Sequence, residues 1–136
     1  MKEPDDVERL SETEKIRLIV ELKEKLKNSQ HHIHKLEELQ NIFRIWVRLR
    51  QKLFPSNCSG TDVRGIDLVM LDADVAGCIS TFLTKGQLDQ RQKEALYFCN
   101  DCLNTVTLEL QGYEGWYYRQ LKTLTSAVIN FQQEWG

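Results

Sequence analysis

Ser11–Phe54 reads SETEKIRLIVELKEKLKNSQHHIHKLEELQNIFRIWVRLRQKLF, 44 residues with no Pro and no Gly. Almost every residue in it is a good or neutral helix former. One straight helix of that length would be about 66 Å long. A compact domain of this chain's size has a radius of gyration of only about 14 Å. The stretch therefore has two readings. It extends as one helix that pairs with another chain, or it folds back as two helices. Asn28-Ser29-Gln30-His31-His32 has the weakest helix propensity and is the expected bend in the second reading.

The apolar spacing adds detail. Ile19, Leu22, Leu26, Ile33, Leu36, Phe43 and Val47 recur near every 3.5 residues, with Ser29 and Gln40 filling two intervening positions. That is a coiled-coil seam. Up to residue 38 the segment reads as thin in apolar residues away from the seam. From Leu39 onward Ile42, Ile45, Trp46, Leu49, Leu53 and Phe54 cover more of the helix surface. This half reads as a core helix of a bundle.

Working outward, Ser11 and Glu14 have the spacing of a capping box. Residues 1–10 read as a flexible acidic lead-in after Pro4. Pro55 stops the first helix, since the residue before a proline avoids the helical region. Residues 55–66 form the one long loop, with no strand pattern. Asp67 is the expected N-cap of a second helix that ends at Lys85, with Gly86 as left-handed C-cap. Gly77 lies within that helix and would permit close approach of a neighbour. Asp89 and Gln92 open a third helix, whose expected stripe is Ala95, Cys99, Cys102, Val106 and Leu110. Gly112 is expected to end it. A fourth runs from about residue 114, with Tyr117, Leu121, Leu124, Val128, Phe131 and Trp135 on one face.

The fold class expected is all-α: a four-helix up-down bundle over 35–54, 67–85, 90–111 and 114–135. Residues 11–34 are its N-terminal helix, a coiled-coil arm or a folded-back fifth helix. Residues 35–136 are the bundle, and the whole reads as one domain.

Composition is that of a soluble protein, 41% hydrophobic and 28% charged, with a net charge of −2. A global pull toward nucleic acid or anionic membrane is not expected. The charge is uneven, and Leu39–Phe54 carries Arg44, Arg48, Arg50 and Lys52 with no acid. The N-terminus lacks the apolar core of a signal peptide, and no stretch approaches a membrane span. The expected location is the cytoplasm, with the four cysteines kept as thiols.

Several constellations carry chemistry in principle. Cys99 and Cys102 form a CxxC, but mid-helix on an apolar stripe, where thiols act as small hydrophobes. His31 and His34 lie one turn apart, too few ligands for a metal without a second element. No metal or cofactor is expected. Asp72 falls on the core stripe of the second helix and needs a donor, with Arg64 and Arg119 as candidates. No P-loop, GxGxxG, HExxH or GxSxG occurs, and no histidine follows residue 34. No catalytic residue is assigned.

The functional expectation is a non-enzymatic interaction protein, adaptor or regulator. It self-associates as a dimer through Ile19, Leu22, Leu26 and Ile33. It binds another protein through Tyr113, Trp116 and Tyr118 and the basic stripe Arg44, Arg48 and Lys52, since aromatics and Arg are the usual anchors. Two alternatives remain: a nucleic-acid-binding regulator using the basic stripe of residues 44–52, or a metal- or ligand-binding bundle. A membrane partner is not expected.

Overall fold

The computed structural model describes residues 11–136; the lead-in expected over 1–10 lies outside them. Among the described residues four helices form: α1 (Glu12–Arg50), α2 (Leu68–Lys85), α3 (Gln90–Glu109) and α4 (Gly112–Trp135). The class is all-α, a helical bundle. Contacts within the chain define two units, Met1–Glu37 and Glu38–Gly136.

In the first unit, Ser11 Oγ accepts from the backbone N–H of Glu14 at 3.2 Å, the serine half of the expected cap. The helix runs unbroken through Asn28–His32. The bend and the fifth helix expected there do not form, because no Gly or Pro interrupts the backbone ladder and weak propensity alone costs only tenths of a kcal/mol per residue. From Glu12 to Glu37 only Lys15 and Lys35 are even partly covered.

The second unit holds the core. Leu68, Leu71, Val75, Ile79 and Phe82 of α2, Leu96, Cys99, Leu103 and Val106 of α3, and Tyr117, Leu121, Leu124, Val128 and Phe131 of α4 are buried together. α2, α3 and α4 all pack on one another. The C-terminal part of α1 adds Ile42 and Leu49, with Ile45 and Trp46 partly covered. Full burial of each such side chain contributes about 1.5–3 kcal/mol.

Local signals fix the ends. Asp67 Oδ1 accepts from Met70 N–H at 3.0 Å, and Gly86 closes α2 at φ 79°. Asp89 and Gln92 form a complete capping box on α3. Three boundaries differ from expectation. α1 stops at Arg50, four residues before Phe54, and Lys52 N–H turns back to Leu49 O. α3 stops at Glu109, and Gly112 starts α4 at φ 62° instead of ending α3. The loop holds a short 3-10 turn, Ser56–Cys58, and a two-residue hairpin of β1 (Asp62–Val63) and β2 (Ile66–Asp67). Arg64 and Gly65 both have positive φ, 51° and 80°, the conformation of a tight hairpin turn.

The α3 face also differs. Ala95 is exposed and Leu96 buried; Cys102 is partly covered and Leu103 fully buried. Both phases satisfy the spacing, and the larger apolar side chains take the inside. Gly77 is exposed, and a Cβ there would meet nothing within 4 Å, so no close approach depends on it.

Candidate functional site

The clearest concavity lies on the second unit, where the outer face of α1 meets the end of α2. Leu39, Phe43 and Val47 of α1 and Phe82 and Leu83 of α2 make its apolar floor. Arg44, Arg48, Gln40, Gln51 and Gly86 complete its lining. Its volume is about 760 Å³ and it is open to solvent. The helix register explains it. Ile42 and Leu49 point into the core. Phe43, one position after Ile42, and Val47, two before Leu49, turn away from that core and stay 55% and 37% exposed. The lining carries positive charge from the two arginines and no acid.

The expected basic stripe is thereby divided. Arg44 and Arg48 line the groove. Arg50 lies over the Trp46 ring, 5.3 Å from its centroid, a cation–π contact that ties it to its own helix. Lys52 lines a second depression with Leu53, Phe54, Tyr113 and Glu114.

That depression borders the aromatic start of α4. Tyr113 is 44% exposed, stacks on Trp116 at 5.7 Å between ring centroids, and donates its hydroxyl hydrogen to Leu53 O. Trp116 is partly covered. Tyr118 corrects the sequence reading. It is completely buried, and its hydroxyl donates to Leu68 O at 2.6 Å. It is a core side chain that fastens α4 to the first turn of α2, and no partner can reach it. Of the three aromatics expected to face outward, two remain at the surface.

On the first unit, Ile19, Leu22, Leu26 and Ile33 are all more than half exposed. Ile16, Leu18 and Val20, which lie off the heptad seam, are exposed as well, at 40–61%. The apolar face near the start of α1 is therefore wider than the spacing suggested. His31, His32 and His34 are exposed on the same helix.

The thiols behave as packing groups. Cys58 and Cys99 are buried; Cys78 and Cys102 are partly covered; none is in a disulfide. Burial pushes the Cys99 thiol up to about 12, with Cys78, Asp74 and Cys102 adding to it. The other three are raised also, by burial first and nearby acids second. Such thiols are poor nucleophiles at neutral pH.

Asp72 finds a donor, but neither expected arginine. Tyr117 supplies it, and Arg64 pairs with Glu109 instead. The Tyr117–Asp72 bond and the meeting of α2 with α1 in the groove are what helix spacing alone missed, because each is a contact between distant parts of the chain.

No described helix is long and apolar enough to cross a membrane. Comparison with known protein families, with curated proteins and with solved structures finds no match.

Proposed function

We propose that this is a non-enzymatic interaction protein of the cytoplasm, an adaptor or regulator, that works as a homodimer. It self-associates through α1 and binds another protein through the bundle surface around Tyr113, Trp116 and Lys52. The observation that carries the reading is the exposed apolar face of α1. Ten large apolar side chains, from Ile16 to Val47, are each between 37% and 61% exposed on that one helix. Soluble monomers seldom leave so long an apolar run uncovered. A helix with so little cover also lacks the packing from which most helical stability comes. A second chain supplies it.

The partner surface rests on a smaller observation. Tyr113 and Trp116 form a stacked aromatic pair beside an exposed lysine. Rigid aromatics of this kind make interface anchors at low entropy cost.

The test is molar mass by light scattering after size exclusion, on the full chain and on Leu26→Glu. The full chain should run as a dimer and the variant as a folded monomer. Removing Leu26 from the seam in both copies costs about 4 kcal/mol per dimer, roughly a thousandfold in Kd. A monomeric parent chain at 100 µM would overturn the reading.

A further inference from the structure

We infer that the groove at Phe43 and Val47 receives residues 16–26 of a second copy's α1, so that the two α1 helices pair antiparallel. This rests on the proposed self-association and adds its geometry.

Three observations lead there. The first is width. A two-stranded seam covers the a and d positions and little more. Ile19, Leu22 and Leu26 occupy such positions, but Ile16, Leu18 and Val20 flank them and are exposed too. A face that wide needs two walls. The groove offers two, Phe43 and Val47 from α1 and Leu83 from α2. Parallel pairing would set residues 16–26 against their own copy, with one wall only.

The second is register. An antiparallel arrangement that places Leu22 opposite Val47 and Leu26 opposite Phe43 also places Ile33 opposite Leu36. It leaves Ser29 opposite Gln40, so the two polar seam residues meet each other. Sliding by one heptad in either direction sets Ser29 against Ile33 or Val47, and Gln40 against Leu22 or Leu36. Polar groups buried against apolar ones lose hydrogen bonds without replacement. Only one antiparallel register keeps both Ser29 and Gln40 off apolar partners, at the cost of setting Ile19 opposite Arg50 at the end of α1.

The third is area. Ten side chains about half exposed offer roughly 100 Å² each, so two copies bury at most roughly 2,000 Å² in all. That reaches the size of a stable, specific interface. Besides the Ile19–Arg50 pairing, a charge term opposes it. The register sets Lys23 on the same flank as Arg44, a like-charge pair that weakens affinity about twofold. Covering the exposed half of a single leucine strengthens it about tenfold, so the apolar face decides the arrangement.

The experiment is disulfide trapping in the full chain, with light scattering alongside. Leu26→Cys combined with Phe43→Cys should oxidise rapidly to a covalent dimer. Leu26→Cys alone, and the parent chain with its native thiols, should not. A dimer that traps through Leu26→Cys alone overturns the antiparallel placement and leaves self-association standing. A dimer that traps in neither case also overturns the placement. A monomeric parent overturns both this inference and the reading it rests on, and leaves the groove to a different occupant. Leu83→Lys, which lies off α1, should raise the dimer Kd at least tenfold with the helix content unchanged; an unchanged Kd removes α2 from the interface.

Discussion

Tyr117 on α4 donates its hydroxyl hydrogen to Asp72 Oδ1 on α2 at 2.8 Å, a bond between residues 45 apart in the chain. The Phe54 and Tyr117 rings also meet in a T-shaped contact, 5.7 Å between centroids. One hydroxyl therefore satisfies a half-buried carboxylate and joins two core helices. Tyr117→Phe keeps the ring and removes the donor. The carboxylate is then left desolvated without its partner. We expect a loss of about 1–2 kcal/mol in urea unfolding, toward the lower end because Asp72 keeps some access to water.

The same carboxyl sets a pH dependence. Burial raises the Asp72 pKa above its ordinary 3.8, and the Tyr117 bond and the Arg50 charge oppose but do not cancel the rise. The folded chain thus holds this proton more tightly than the unfolded chain. Its contribution to stability is full below 3.8 and is lost as pH rises through the folded pKa. Asp72→Asn resembles the protonated form and still accepts from Tyr117. It should match the parent in acid below 3.8 and be the more stable of the two at neutral pH. A pH series of thermal unfolding on both proteins reads the difference; parallel curves would count against the assignment.

Part of this architecture was legible in the sequence and part was not, and the division is physical. The caps at Asp67, Gly86 and Asp89 are local, so residue type and spacing were enough. The α3 face was ambiguous because Cys99 and Val106 belong to both candidate phases. Only the volume available in the core selects Leu96 and Leu103 over Ala95 and Cys102. Tyr118 was misplaced for a different reason. Its burial depends on the Leu68 carbonyl in the first turn of α2, whose second lone pair accepts the hydroxyl bond beside the helix ladder, a contact between residues 50 apart. The hairpin at 62–67 has strands too short for any period to show. Half of the groove was visible as Phe43 and Val47 on the seam; the other half, Phe82 and Leu83, arrives only with the packing of α2.

The glycines give a paired prediction. Gly77 sits inside α2 with open space where its Cβ would be. Gly77→Ala should stabilise by up to about 1 kcal/mol through helix propensity alone. Gly115 lies in the first turn of α4, where a Cβ would sit 2.5 Å from Leu110 O and 2.8 Å from Arg119 Nη1. The arginine can move, but the carbonyl is backbone. Gly115→Ala should therefore destabilise, by about 1–3 kcal/mol, as overpacking does. Thermal unfolding of the two variants should move in opposite directions.

Cys99 should report on global unfolding. Its thiol is buried and pushed up to about 12. Little thiolate exists at pH 8, and reagent has no access in the native state. Alkylation at Cys99, followed by peptide mass spectrometry, should proceed no faster than the bundle opens and should accelerate sharply in urea near the midpoint. Fast labelling of Cys99 in native buffer would mean that α3 opens locally.

Thr125 supplies the last prediction. It is fully buried in α4, and among the described residues its hydroxyl meets no hydrogen-bond partner. A desolvated hydroxyl without a partner costs about 1–3 kcal/mol. Valine has nearly the same shape and replaces that hydroxyl with a methyl, which suits the apolar surroundings that Leu121, Leu124 and Val128 share in this core. Thr125→Val should raise stability by about 1 kcal/mol, read as a higher urea midpoint at unchanged slope. Thr125→Ser is the control: it keeps the unpaired hydroxyl, removes the methyl and leaves a small void, so it should fall below the parent. A valine variant less stable than the parent would mean that the hydroxyl is bonded in solution, with a buried water as its partner.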